Sequence, residues 1–150
     1  MTIEKLHRGQ VVLGTVAAAV LGSAGNALVS WVARSLGSDP QVIQGLQPKG
    51  YVVLTTLGVI VGAVVWARIR RRSERPRAVL RKLVPTVVGV SFLADVPVFF
   101  LDGADVLGVF ALMVMHVVVA VIAVPIFRRV MPLAEDRTSP TDEVHAPLGA

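Results

Sequence analysis

Two titratable side chains lie inside long apolar stretches of this chain. Asp95 stands between Leu93-Ala94 and Val96-Pro97-Val98, and His116 between Val114-Met115 and Val117-Val118. A carboxylate in hydrocarbon costs several kcal/mol unless it is paired, hydrated or protonated, so Asp95 requires a reason. With the stretches read as helices rising about 1.5 Å per residue, Asp95 stands roughly 9 Å from the nearer end of its helix. Asn26, Thr55 and Thr56 come out at about the same depth along theirs. Ser91 lies one turn away on the Asp95 face, and His116 is about level with Ser91. Asp105 precedes His116 by about three turns and shares its face, nearer the helix end. The expectation is a polar pocket with Asp95 and His116 at its bottom and Asp105 at its rim. Asn26, Thr55, Thr56 and Ser91 would supply hydrogen bonds, and Phe92 and Phe110 apolar walls. An acid and a base so placed can pass a proton between them. The bland alternative is that Asp95 caps backbone freed by Pro97, while His116 makes one bond between helices.

The elements that carry these residues follow from composition. The chain has 150 residues, 54% of them hydrophobic and only 17% charged, with a mean hydropathy of +0.70. That is outside the range of an ordinary soluble domain. Four spans emerge, at residues 11–33, 51–67, 83–101 and 106–127. Each approaches or exceeds the roughly 17–25 residues needed to cross the hydrocarbon core. Lipid offers no partner for an open N–H or C=O, so the spans are expected to be helices. The fold class is therefore all-α: a polytopic four-helix bundle over residues 1–130, followed by a disordered cytoplasmic tail over 131–150. The tail is rich in Pro, Thr, Asp and Glu. Lys5 and Arg8 ahead of an apolar run resemble the start of a secretory signal. The apolar character runs on to Ala33, however, past an h-region of roughly 7–15 residues, and the first span is expected to stay uncleaved.

Charge sets the orientation. Arg68, Arg70, Arg71, Arg72, Arg75, Arg77, Arg81 and Lys82 cluster between the second and third spans, with Glu74 the acid among them. Lys/Arg-rich short connections stay in the cytoplasm. Lys5, Arg8, Arg128 and Arg129 agree, and Asp102 and Asp105 mark the opposite side. The reading is a multi-pass protein of the cell membrane with both termini cytoplasmic, although Arg34 and Lys49 on the outer side are exceptions. The net charge of +5 comes largely from this central run. It fits attraction to anionic lipid head groups better than nucleic acid, which is not expected as a partner.

Packing should rest on small residues, because lipid gives helices little apolar reason to meet. Gly14, Ala18, Gly22, Asn26 and Ser30 fall at i+4 steps on the first span, and Gly58 and Gly62 do so on the second. These two faces are expected to pair, within the chain or between copies in a homo-oligomer. Pro97 should kink the third helix, Pro85 lies near its start, and Pro125 is placed to bend the fourth or simply to tilt it. Trp31, Tyr51, Phe99 and Phe100 suit an interfacial belt. In the first outer connection, residues 35–50, Val42, Ile43 and Leu46 are spaced to dip an apolar edge into the interface.

Other chemistry finds little footing. Without cysteine there is no disulfide, thiolate site or cysteine nucleophile. No phosphate-binding glycine loop, HExxH or serine elbow occurs. Met113 and Met115 point to different faces from His116, and His7 and His145 lie outside the core, so haem is not expected. Asp95, Asp105 and His116 spread too far in depth for a convincing metal site. No cofactor and no metal is expected.

The segment Thr55-Thr56-Leu57-Gly58 leading to Trp66, and Ala111-Leu112-Met113-Val114-Met115-His116-Val117-Val118 ending in Pro125 and Arg128-Arg129, resemble a family of small actinobacterial four-helix membrane proteins with a domain-of-unknown-function label. The resemblance implies the four-helix architecture and places His116 in a recurring motif, and it implies no activity. Function is read as binding of a lipid-like or small amphipathic ligand, or of a partner helix, at an outward-facing polar pocket. The alternative is a membrane-embedded acid–base enzyme, an isomerase or proton-initiated cyclase on an isoprenoid-like substrate. In it Asp95 is the acid, His116 the relaying base, and Asn26 and Ser91 the hydrogen-bond partners. A dimeric proton-coupled transporter is a third reading.

Overall fold

A computed structural model describes residues 3–133, with side chains from residue 8 onward. The helices are α1 (Ile3–Ser35), α2 (Pro48–Arg72), α3 (Pro76–Asp95) and α4 (Val106–Val130), and no strand occurs among the described residues. All four are long and apolar enough to cross a bilayer, which fits a small multi-pass membrane protein. One end of the bundle gathers the arginines of the α2–α3 connection and of the α4 terminus, and is called the basic end below.

The helices outrun the apolar spans because charged residues extend them. The central basic run is mostly helical: residues 68–72 finish α2, residues 76–82 open α3, and residues 73–75 make the turn. Arginine and lysine are good helix formers, and Arg70, Arg71 and Arg72 sit in the last turn of α2, where the helix dipole favours cations. Pro76 opens α3 at a position where a missing N–H costs nothing. As a result Pro85, expected near the start of its helix, lies in the interior of α3. At the other end Pro97 has no N–H for the Leu93 carbonyl. The expected kink takes the form of a change of winding, with α3 ending at Asp95 and a 3-10 segment following over Val96–Phe100.

α1 ends in a turn that needs glycine. Gly37 has φ +110°, while its N–H bonds the Arg34 carbonyl and the Ser38 N–H bonds that of Ala33, the Schellman pattern. The chain then folds back over the end of the bundle. Ile43 and Leu46, in and beside a short 3-10 turn over Gln44–Leu46, are fully buried against Ala33, Ala111, Leu112 and Met115. The Ser30 hydroxyl donates to the Leu46 carbonyl at 2.6 Å. The connection expected to graze the interface is therefore a plug in the bundle. Trp31 and Phe100 are exposed at this plug end.

The small-residue face of α1 is buried throughout, at Gly14, Ala18, Gly22, Asn26 and Ser30. Its main partner is α4, with α2 second. A Cβ at Gly14 would stand 2.7 Å from Val130, and one at Gly25 would stand 2.7 Å from Val118. α2 meets α1 through Thr55, whose methyl would lie 3.0 Å from a Cβ at Gly22. The expected pairing of this face with the Gly58–Gly62 face does not form. Gly58 is exposed with open space around it, and the buried face of α2 runs Thr55, Val59, Trp66. α4 is the centre of the bundle and α3 its outlier: 33% of the α4 span is buried, against 6% of α3.

At the basic end, Trp66 and Phe127 pack at 5.9 Å between ring centroids. The indole N–H donates to the Met131 carbonyl at 3.1 Å. Met131 and Leu133, which open the stretch expected to be a disordered tail, are buried in this core. Residues 134–150 lie outside the described residues. These contacts separate the glycines. Gly25→Leu should lower stability in detergent by about 1–3 kcal/mol through overpacking, whereas Gly58→Ala should leave it equal or raise it by up to about 1 kcal/mol. Thermal unfolding of the two purified variants checks the contrast.

Candidate functional site

α3 and α4 bring Asp95 and His116 together. His116 is half-buried on α4, and its Nδ1 lies 2.8 Å from the carbonyl of Leu112 one turn back. A carbonyl can only accept, so Nδ1 carries the hydrogen. The same nitrogen lies 3.4 Å from Asp95 Oδ2. Because the hydrogen is aimed at Leu112, the contact with the carboxylate is not a hydrogen bond. Oδ2 is buried and has no hydrogen-bond partner among the described residues. The Phe92 ring stands edge-on to the imidazole at 6.4 Å. The pair is lopsided, with 37% of the His116 side chain exposed against 12% of Asp95. His116 Nε2 takes part in none of these contacts.

Local structure explains why Asp95 is placed this way. It ends α3 where Pro97 tightens the winding, yet its side chain makes no capping bond to the segment that follows. The bland alternative of a carboxylate spent on freed backbone thus lacks its hydrogen bond. Buried polar atoms are nearly always satisfied, and this carboxylate oxygen beside a half-open imidazole is an acceptor without a donor among the described residues. It can take one N–H or O–H from an apolar molecule lying against α3 and α4.

The remaining expected site residues are dispersed. Ser91, one turn from Asp95, donates to the Val87 carbonyl at 2.9 Å. Asn26 and Thr55 form a second polar pair between α1 and α2, with Nδ2 donating to Oγ1 at 2.8 Å. Asn26 Oδ1 is also buried without a partner. Thr56 follows Thr55 and is half-buried. Asp105 caps α4, accepting from the Gly108 N–H at 2.7 Å and from the Ser38 hydroxyl at 2.8 Å. It ties the plug connection to α4 and does not reach the pair. Phe110, at 60% exposure, faces away from the protein. The Leu112 carbonyl was not anticipated as a partner of His116, although its place four residues back on the same helix face is the available signal. Among the described residues no three His, Asp or Glu side chains converge on a point that suits a metal ion.

A family model described as a family of unknown function, DUF6069, matches residues 6–132. The chain belongs to this family. No curated protein matches it, and no solved structure does. The DUF6069 match runs from the first turns of α1 past the end of α4 and takes in the plug, both polar pairs and the Trp66–Met131 bond. Within this DUF6069 fold, Asp105 is a structural residue. Asp105→Ala should lower stability by about 1 kcal/mol, as loss of a cap does, and Asp105→Ser should restore most of it. Melting of the two variants in one detergent measures this.

Proposed function

We propose that the protein is a membrane binding protein which holds a lipid-like or small amphipathic ligand at the Asp95–His116 pair. The carrying observation is the buried, unpartnered Asp95 Oδ2 beside the half-exposed His116 ring. Intramembrane acids are costly to keep and usually functional. Ile43 and Leu46 fill the plug end of the bundle, so the ligand reaches the pair sideways, between α4 and the loosely packed α3. An apolar tail along the exposed Val90 and Leu93 of α3 would place a donor-bearing head at Oδ2. In this reading both termini and the basic end face the cytoplasm, since Arg8, the α2–α3 arginines, Arg128 and Arg129 lie together. The pair then opens in the outer half of the bilayer. The acid–base enzyme reading draws on the same two residues, but it also needs Asn26 and Ser91, which are bonded to Thr55 and Val87.

The test uses hexadecylamine, which carries a donor head and one apolar chain, with hexadecane as the headless control. Native mass spectrometry of the detergent-purified chain should show retention of the amine over the alkane. Asp95→Asn should weaken that retention roughly tenfold or more, as loss of a charge-assisted hydrogen bond implies. Equal retention by the Asp95→Asn variant would remove the pair from the binding site.

A further inference from the structure

A cavity lies at the opposite end of the molecule from the Asp95–His116 pair. It has a volume of about 500 Å³ and is bordered by Arg77, Arg81 and Arg128, with Trp66, Val84 and Val124 among its apolar wall residues. That volume is in the range of small-molecule sites. The polarity is graded along one helix. Arg77, Arg81 and Pro85 follow at i+4 steps, so the α3 wall passes from guanidinium to apolar surface within two turns. Arg128 of α4 borders the same opening. The apolar floor is rigid, because Trp66 is fixed by its bond to the Met131 carbonyl and by Phe127. Pro85 brings no N–H to the carbonyl of Arg81, which leaves an acceptor beside the guanidiniums.

We propose that this cavity is the head-group site of an anionic phospholipid from the leaflet that adjoins the basic end. Arg81 and Arg128 match a phosphodiester in charge and in the planar geometry of their donors. The Arg81 carbonyl suits a head-group hydroxyl, and Val84 and Val124 receive the first methylenes of the acyl chain. The rest of the chain continues along Val87, an exposed residue of α3. Basic pockets between membrane helices are suited to such head groups. A free phosphate would use the arginines and leave the apolar floor uncovered. The main rival occupant is the chain's own segment after Leu133, which begins Ala134-Glu135-Asp136.

The chain has tryptophan at two positions, Trp31 and Trp66, so Trp31→Phe leaves Trp66 as the sole reporter. The full-length Trp31→Phe protein is placed in vesicles containing phosphatidylglycerol or phosphatidylcholine brominated near the glycerol end of the acyl chain. Quenching of Trp66 should favour the brominated phosphatidylglycerol. The apparent affinity should fall about fivefold for each arginine replaced in Arg81→Gln and Arg128→Gln. Arg71→Gln with Arg75→Gln removes the same charge outside the cavity and should leave the preference in place. Equal quenching by the two lipids overturns the site, as does an equal loss from both pairs of replacements. A preference that emerges only in a Glu135→Gln/Asp136→Asn chain would assign the cavity to the tail and overturn it likewise.

Discussion

Everything in this bundle depends on how closely α1 approaches α4. Helices in lipid gain little from burying apolar surface against one another, so association relies on backbone proximity and on polar bonds between helices. Gly14, Gly22 and Gly25 remove the side chains that would hold α1 away, and at Gly14 and Gly25 a single added carbon would collide with α4. With α1 seated, its Asn26 reaches Thr55 of α2 and its Ser30 reaches the plug at Leu46. The plug in turn fixes Ser38 against Asp105 and so the start of α4. α3 stands outside this chain of dependence, joined to the rest mainly through α4.

The parts of the fold legible in the sequence are those that a single residue type decides. Long apolar runs give four helices able to cross a bilayer, the i+4 small residues of α1 give its buried face, and Pro97 gives the break after Asp95. What escaped reading depends on a partner's shape. Gly58 and Gly62 share the spacing of the α1 stripe, yet Trp66 needs the floor beside Phe127, and that turns Val59 inward and Gly58 out. A basic run between apolar spans has the charge of a connecting loop, although arginine extends helices readily. Ile43 and Leu46 are too few to announce a plug. Only the closed end of the bundle, with Ala33 and Ala111 leaving room, makes them core.

The same division holds for the site. A carboxylate and an imidazole inside apolar runs were visible as unusual, and the fold places them 3.4 Å apart. Their supposed companions were assigned by depth alone. Depth does not say which way a side chain turns, and Ser and Thr in membrane helices readily bond a carbonyl of their own helix. Ser91 and Thr86 do so. The spacing of Asp105 from His116 fits a polar rim, whereas its position just before a helix makes it a cap.

Two buried oxygens in the described residues lack partners, Asn26 Oδ1 and Asp95 Oδ2. Asn26 still holds Thr55, so its side chain has structural use. Asp95 makes no side-chain hydrogen bond among the described residues, and the proposed ligand would account for a pair kept at some expense of stability. The most direct measurement is the thermal stability of Asp95→Leu in detergent, with no ligand added. A carboxylate retained for binding gives a melting temperature equal to or above that of the parent chain, because His116 keeps its bond to Leu112. A loss of about 3–5 kcal/mol, the cost of breaking a buried ion pair that holds a fold together, would contradict this and make the pair a structural clasp.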